Sequence, residues 1–314
     1  MRDRDGAISA RQLLADFRTQ ERVSQGELIQ FDGVGERDVY NVTAPFSMDG
    51  MILIAGRVEP RDTELAETML FVEGTDGIWR PHAGAPSYPK LQDPCVSFIG
   101  DELVLGGVEF PVSLPGRDAP GWRMAFYRGE SLESLRLFLH GPDHMKDIRL
   151  GPLPDGRIAV CSRPQGARGG RGQIGFTTVD SLDDLTAESI EAAPLLTGQF
   201  LTEEWGGANE LHLLKDGRLG ILGHIAWMRG EGEDEEKHYY PMAFTLDPDS
   251  GDFSPLQIIA SRDDFPVAAP KRPGLRDVIF SGGLDRDDVG AWLYAGLSDS
   301  AAGRVRVADP FANV

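Results

Sequence analysis

The stretch YPKLQDPCVSFIGDELVLGGVEF, residues 88–110, holds the layout that decides the fold. A carboxylate, Asp93, sits beside a proline at the head of an apolar segment. Gly100 and Asp101 then turn the chain into a second apolar segment. The same turn-and-strand unit recurs as DGMILIAGR, DGRIAVCSR, DGRLGILGH and DVGAWLYAG. Its closing positions, Arg57, Gly107, Arg163, His224 and Gly296, are spaced by 50, 56, 61 and 72 residues, the last interval being stretched by the acidic insert RGEGEDEEKH.

Each turn is preceded by another strand candidate: VYNVTAPF, QDPCVSF, KDIRLGPL, NELHLL and RDVIFSGG. Four pairs are followed by an aromatic-bearing apolar strand, TMLFVE, RMAFYR, QIGFTTV or PMAFTL, and a fourth strand is clearest as SPLQIIA. Four strands per unit at a period of about 50 residues is the pattern of a β-propeller, in which one unit cannot bury both faces and stacks radially on its neighbours. The expectation is an all-β chain, a five-bladed β-propeller spanning residues 1–314 as one domain. A pair of β-sandwiches would not give near-equal spacing. The segment GELIQFDG is the candidate to complete the last blade. Helical pattern is clearest in SARQLLADFR, about residues 8–18, where Ser9 can cap and Leu13, Leu14 and Phe17 share a face. That helix can pack on its own propeller or on a neighbour, which leaves a homo-oligomer open.

Composition narrows the function classes. The 314 residues carry a formal charge of −19, which repels nucleic acid and anionic membranes. No apolar run approaches the roughly 20 residues of a membrane span, and MRDRDGAIS lacks a signal-peptide core, so a cytoplasmic protein is expected. Cys95 and Cys161 show no metal-type spacing and read as free thiols. His82, His140, His144 and His212 form no metal-binding array, and neither metal nor cofactor is expected. GARGGRGQIG lacks the Lys of a phosphate loop and reads as a glycine-rich hairpin connection with no helix.

In a propeller the entrances of the inner strands face one another across a central channel. Asn41, Asp93, Lys146 with Asp147, Asn209 with Glu210, and Asp277 stand at the starts of first strands. Arg57 with Glu59, Glu109, Arg163 and His224 stand at the ends of second strands. Four candidate cations, Arg57, Lys146, Arg163 and His224, thus fall near equivalent positions in an acidic protein. Such a cluster is costly unless an anion or a carboxylate compensates it. A small phosphate-bearing ligand is one answer. Internal salt bridges to Glu59, Glu109 and Asp147 are the other. Tyr239 and Tyr240 follow the acidic insert and can reach the channel mouth. Trp205 can serve as a sugar platform or as packing.

At GRVEPRD, QDPCV, KDIRLGPLPDGRIAVCSRP, GILGH and VIFSGGL, taken in order, the sequence resembles the five-bladed mannoside phosphorylases of glycoside hydrolase family 130. It is more similar still to the related mannosyltransferase/phosphorylase group long carried as a domain of unknown function. The resemblance runs over about residues 38–298. It implies an enzyme for inverting phosphorolysis, or reverse synthesis, of β-mannosides through mannose 1-phosphate, the linkage expected being β-1,2. Its substrates are then a mannose-containing oligosaccharide and phosphate or a sugar phosphate. It places the catalytic acid on Asp93, phosphate contacts on Arg57, Lys146, Arg163, His224 and Tyr240, and sugar contacts on Asp62 and Asp147. Asn41, Glu59, Glu109, Asn209, Glu210 and Asp277 complete the expected substrate-facing set. The related phosphorylases carry Arg where this chain has Cys95, which puts one phosphate contact in doubt. A GDP-mannose-dependent β-1,2-mannosyltransferase, a hydrolase and a non-enzymatic sugar-binding propeller are the competing readings.

Overall fold

The computed structural model describes residues 6–20, 25–116 and 118–312. The chain is all-β apart from short helices, and its strands follow one another as five antiparallel meanders. The first runs through Asp38–Tyr40, Met51–Glu59, Glu67–Glu73 and Trp79–Pro81. The second is Leu91–Ile99, Glu102–Val112, Gly121–Gly129 and Arg136–His140, and the third is Arg149–Pro152, Ile158–Ser162 and Gly175–Val179. The fourth is Trp205–Leu213, Leu219–Arg229, Glu236–Leu246 and Gln257–Ile258. The fifth is Asp277–Asp287, Gly290–Leu297 and Ala301–Val307, and Glu27–Leu28 adds its fourth strand through Glu27↔Arg304 and Leu28↔Gly303. The N-terminal segment therefore completes the last meander. A short parallel pairing of His238 with Asp277 and Tyr239 with Val278 fuses the fourth and fifth meanders into one sheet.

The first strands of the second to fifth meanders pack side by side in chain order, Met51–Glu59 of the first meander packs on Leu91–Ile99, and the fifth meander returns to touch the first. Hydrogen bonds stitch the seams: Ser97 Oγ donates to Leu150 O at 2.6 Å, Arg149 Nε to Asn209 O at 2.7 Å, and Leu284 N to Glu210 at 2.7 Å. The closing seam is tight. A Cβ on Gly282 would lie 1.6 Å from Val42 O. Apolar side chains fill the gaps between meanders, as Ile54, Val58, Phe71 and Tyr294 do at that seam. Burial of this kind contributes about 25 cal/mol per Å² of apolar surface.

Two expectations needed adjustment. Among the described residues the third meander has no fourth strand, and the bridge Gly175↔Leu195 stands in its place. The helix Ala187–Ala192, started by a reciprocal cap between Thr186 and Ser189, packs against the strand Ile158–Ser162. GARGGRGQIG, read as free of helix, contains the helical turn Gly166–Gly169. The N-terminal helix spans Ala10–Arg18, capped by Ser9 on Gln12 N. Its Leu13, Leu14 and Phe17 are buried against the fourth meander of the same chain. Cys95 and Cys161 are free and buried. Among the described residues no helix is long and apolar enough to cross a membrane.

Candidate active site

A cavity of about 580 Å³ opens where the first strands begin. What aims side chains into it is backbone shape. Asn41, Asp93 and Asp147, at matching places in the first three meanders, all have left-handed backbones, with φ of 47°, 50° and 59°. Asn and Asp tolerate that conformation better than other residues with a Cβ. At Asp93 the ladder shifts register between Gln92 and Cys95, so Asp93 and Pro94 bulge out of the pairing with Glu102–Val112. The carboxylate points inward because the strand is interrupted there.

Asp93 Oδ1 accepts from Asn41 Nδ2 at 2.6 Å and from Arg57 Nη1 at 3.2 Å. Burial pushes its pKa up, but the charges of Arg57 and Lys146 and these hydrogen bonds outweigh burial and hold it below the ordinary value. Arg57 is itself fixed from behind. It donates to Glu59 Oε2 from Nη2 at 2.7 Å and from Nε at 3.1 Å, and to Glu64 at 2.9 Å. Glu59 is buried and also receives Tyr40 OH and Lys271 Nζ.

Across the cavity, Arg163 donates to Asp147 Oδ2 at 2.9 Å and to Gly206 O at 3.1 Å. Burial raises the Asp147 pKa, yet Arg163, His224, Lys146 and Arg149 overcome it and bring the carboxyl to about 2. The internal pairs weighed in the sequence are thus present for Arg57 with Glu59 and for Arg163 with Asp147. Glu109 pairs instead with Arg123 at 3.1 Å, beside His140.

His224 corrects one expectation. Burial, aided by Arg163, Lys146 and Arg149 against Asp147, lowers its pKa to about 3, so it is neutral at pH 7 and no cation. Its Nδ1 donates to Asn209 Oδ1 at 2.8 Å, which leaves Nε2 with a lone pair. His224 stacks on Tyr239 with centroids 5.5 Å apart. Tyr239 OH receives Trp205 Nε1 at 3.1 Å, and burial pushes the phenol up to about 12.

Of the residues singled out in the sequence, Asn41, Arg57, Asp93, Lys146, Asp147, Arg163 and His224 line this one cavity. Tyr240 does not. Strand alternation turns it away, and its hydroxyl donates to Asp277, which also binds His238 Nδ1 at 2.6 Å. Tyr239, its neighbour, faces the cavity instead. Glu59, Glu109, Asn209, Glu210 and Asp277 stand behind or beside the wall as partners of other side chains, and Asp62 lies exposed in the turn after Met51–Glu59. Trp205, although buried, also lines the cavity.

The sequence reading missed several wall residues. Asp299 is the most consequential. It sits in the turn after Gly290–Leu297, where Ser298 and Asp299 are both left-handed. Burial raises its pKa, opposed by Arg57 and reinforced by Asp93 and Glu64. Glu64, Arg171, Lys237 and Arg272 are further charged wall residues. The cavity therefore holds carboxyls beyond the expected Asp93 and Asp147. The successive Asn/Asp positions and Ser298-Asp299 carried a signal, since such residues favour left-handed turns. Arg171 carried none beyond its glycine-rich surroundings.

A family profile described as protein of unknown function (DUF1861) matches residues 15–313. No curated protein matches significantly. Among solved structures, a mannose phosphorylase from Leishmania mexicana in complex with a phosphate ion is 36% identical, with 96% of this chain and 92% of that one covered and a TM-score of 0.86. A GDP-Man-dependent mannosyltransferase from the same organism is 30% identical, with coverages of 97% and 96% and a TM-score of 0.87. A β-1,2-mannobiose phosphorylase from Listeria innocua shares the fold at 15% identity, coverages of 87% and 90%, and a TM-score of 0.59.

Proposed function

We propose, from the premise that this chain belongs to the DUF1861 family, that it is a carbohydrate-active enzyme that cleaves and forms mannosides by phosphorolysis. The single observation that carries this reading is the convergence of Asp93 with Arg57, Lys146 and Arg163 on one cavity. The five meanders are read as five blades closed around it.

A phosphate oxygen attacks the anomeric carbon from the side of Lys146 and Arg163. The glycosidic C–O bond breaks, and the departing oxygen takes a proton whose path runs through Asp93. The products are mannose 1-phosphate, with inverted configuration, and the shortened glycan. Neutral His224 accepts a hydrogen bond at Nε2 from a protonated phosphate oxygen, and Tyr239 donates one. Asp299 and Asp147 are placed to bind sugar hydroxyls. An inverting hydrolase needs a base to activate water; a phosphate anion in a cationic cradle does not. The linkage proposed is β-1,2. No cofactor is required in this scheme, phosphate or a sugar phosphate being substrate, and the setting proposed is the cytoplasm.

The test is to incubate the protein with β-1,2-mannobiose, with and without phosphate, and to measure mannose 1-phosphate. Strict dependence on phosphate is expected. Mannose release independent of phosphate would replace this reading with a hydrolase.

A second reading, transfer from GDP-mannose, is favoured by one specific observation. Cys95, where related phosphorylases carry an arginine, is buried against Gly106 and offers no charge to the cavity. Formation of GDP from GDP-mannose in the presence of a mannoside acceptor distinguishes it.

A further inference from the structure

Four arginines line the cavity, and three of them are matched by carboxylates: Arg57 by Glu59, Glu64 and Asp93, Arg163 by Asp147, and Arg272 by Glu64 at 3.1 Å. Among the described residues no carboxylate pairs with the fourth, Arg171. Its guanidinium lies over Trp205, 5.6 Å from the ring centroid, with Nη1 3.5 Å from Met228 Sδ. Trp205 and Met228 are wall residues themselves. An apolar shelf thus supports the flat group while its N–H edge stays accessible, an arrangement suited to phosphate.

The loop that carries Arg171 is fixed rather than free. Gly166 and Gly170 exchange backbone hydrogen bonds at 2.8 Å, Gln165 Nε2 donates to Arg171 O at 2.8 Å, and Gly206 N donates to Gly172 O at 3.2 Å. Gly172, with φ of 143°, lies so close to the inner arginine that a Cβ there would fall 2.6 Å from Arg163 Nε. Arg171 directly precedes the residue that touches Arg163, and it is exposed where Arg163 is buried. Positive groups at successive depths match linked phosphoryl groups better than one isolated anion.

We propose that Arg171 forms an outer phosphoryl subsite, so that a diphosphate puts one phosphoryl group on Lys146 and Arg163 and the second on Arg171. The inference rests on the inner cluster being an anion site, as proposed above. It makes Arg171 the determinant of whether a diphosphate-linked donor is held in addition to free phosphate.

The test measures calorimetric affinities for inorganic phosphate, pyrophosphate and GDP at constant ionic strength. The proteins compared are the wild type, Arg171→Ala and Arg171→Met, the last keeping the contact with Trp205. Arg171 is exposed, so both variants should melt like the wild type. Wild type should bind pyrophosphate and GDP more tightly than phosphate. Both variants should lose about 10- to 100-fold of that advantage, the range for one charge-assisted contact, with phosphate affinity within about twofold of wild type. Equal loss of phosphate and pyrophosphate, or no loss of either, overturns the subsite. Intact phosphate binding without any diphosphate preference overturns it alone. Absence of phosphate binding in the wild type overturns the inner site and the proposed function as well.

Discussion

Replacing Asp147 by Asn tests the electrostatics of the cavity floor. Asn tolerates the φ of 59° at this position, so the backbone has no reason to move. What changes is charge. Arg163 and Asp147 have side chains only 3% and 4% exposed, and the charges of Arg149 and Lys146 act on the same carboxylate. Removing one partner of a buried pair costs about 3–5 kcal/mol, because the other charge is left uncompensated. At about 2.1 cal/mol/K per residue, a chain of 314 residues has an unfolding entropy of about 0.66 kcal/mol/K, so the midpoint should fall by about 5–8 °C. The assay is a thermal melt in phosphate-free buffer, repeated with added phosphate. An anion lodged beside Arg163 and Lys146 replaces part of the missing charge, so phosphate should raise the midpoint of Asp147→Asn more than that of wild type. A variant that melts like wild type, or one no more responsive to phosphate, would refute this account of the floor.

The remaining predictions concern the acid, the pH response and the seam between the fifth and first meanders. Asp93→Asn keeps a residue suited to φ of 50° and leaves Arg57 paired with Glu59 and Glu64, so it should lose less stability than Asp147→Asn, while turnover falls about 10²–10⁴-fold; undiminished product formation in a mannoside assay would remove Asp93 from the chemistry. His224 takes up a proton near 6.5 when unfolded but only near about 3 when folded. Its contribution to stability is thus complete above pH about 6.5 and drains as pH falls toward 3. Urea midpoints should decline over that interval, and His224→Gln should flatten the decline; an unchanged slope contradicts the burial argument. Gly282→Ala forces a Cβ against Val42 O, 1.6 Å away, and should lower stability by about 1–3 kcal/mol or more. A wild-type denaturation midpoint would mean that the seam between the fifth and first meanders is not held closed.

The strand pattern was legible because each meander repeats a turn followed by an apolar run, and such periodicity survives without knowledge of neighbours. Asp93, Asn41 and Asp147 were legible for a related reason: repetition put them at matching positions. What sequence could not supply was direction. Tyr239 and Tyr240 differ by one residue, and only the register of Glu236–Leu246 against Leu219–Arg229 decides which faces the cavity. Glu59 and Asn209 have the right position along the chain, yet each bonds to a side chain that itself reaches the wall. The charge of His224 was equally hidden, since burial and neighbouring arginines are tertiary facts. Asp299 escaped because it belongs to a turn between the second and third strands of its meander, outside the strand ends that were compared.

The arrangement of charge also imposes an order on the proposed reaction. Asp93 is ionised at neutral pH because Arg57 and Lys146 outweigh its burial, and an ionised carboxylate has no proton to give. Hydrogenphosphate entering between Lys146 and Arg163 offsets the positive charge that holds this carboxyl down. Burial then acts with less opposition, and it acts in the opposite direction. The anion must therefore bind before Asp93 can carry a proton. The balance closes without an outside acid: the proton lost by hydrogenphosphate as it becomes a sugar phosphate equals the one gained by the departing oxygen. Water brings no compensating negative charge to the cations, so in hydrolysis Asp93 would stay ionised when the bond has to break. The pairing that keeps Arg57 and Arg163 stable in the interior is, on this reading, also what makes cleavage wait for phosphate.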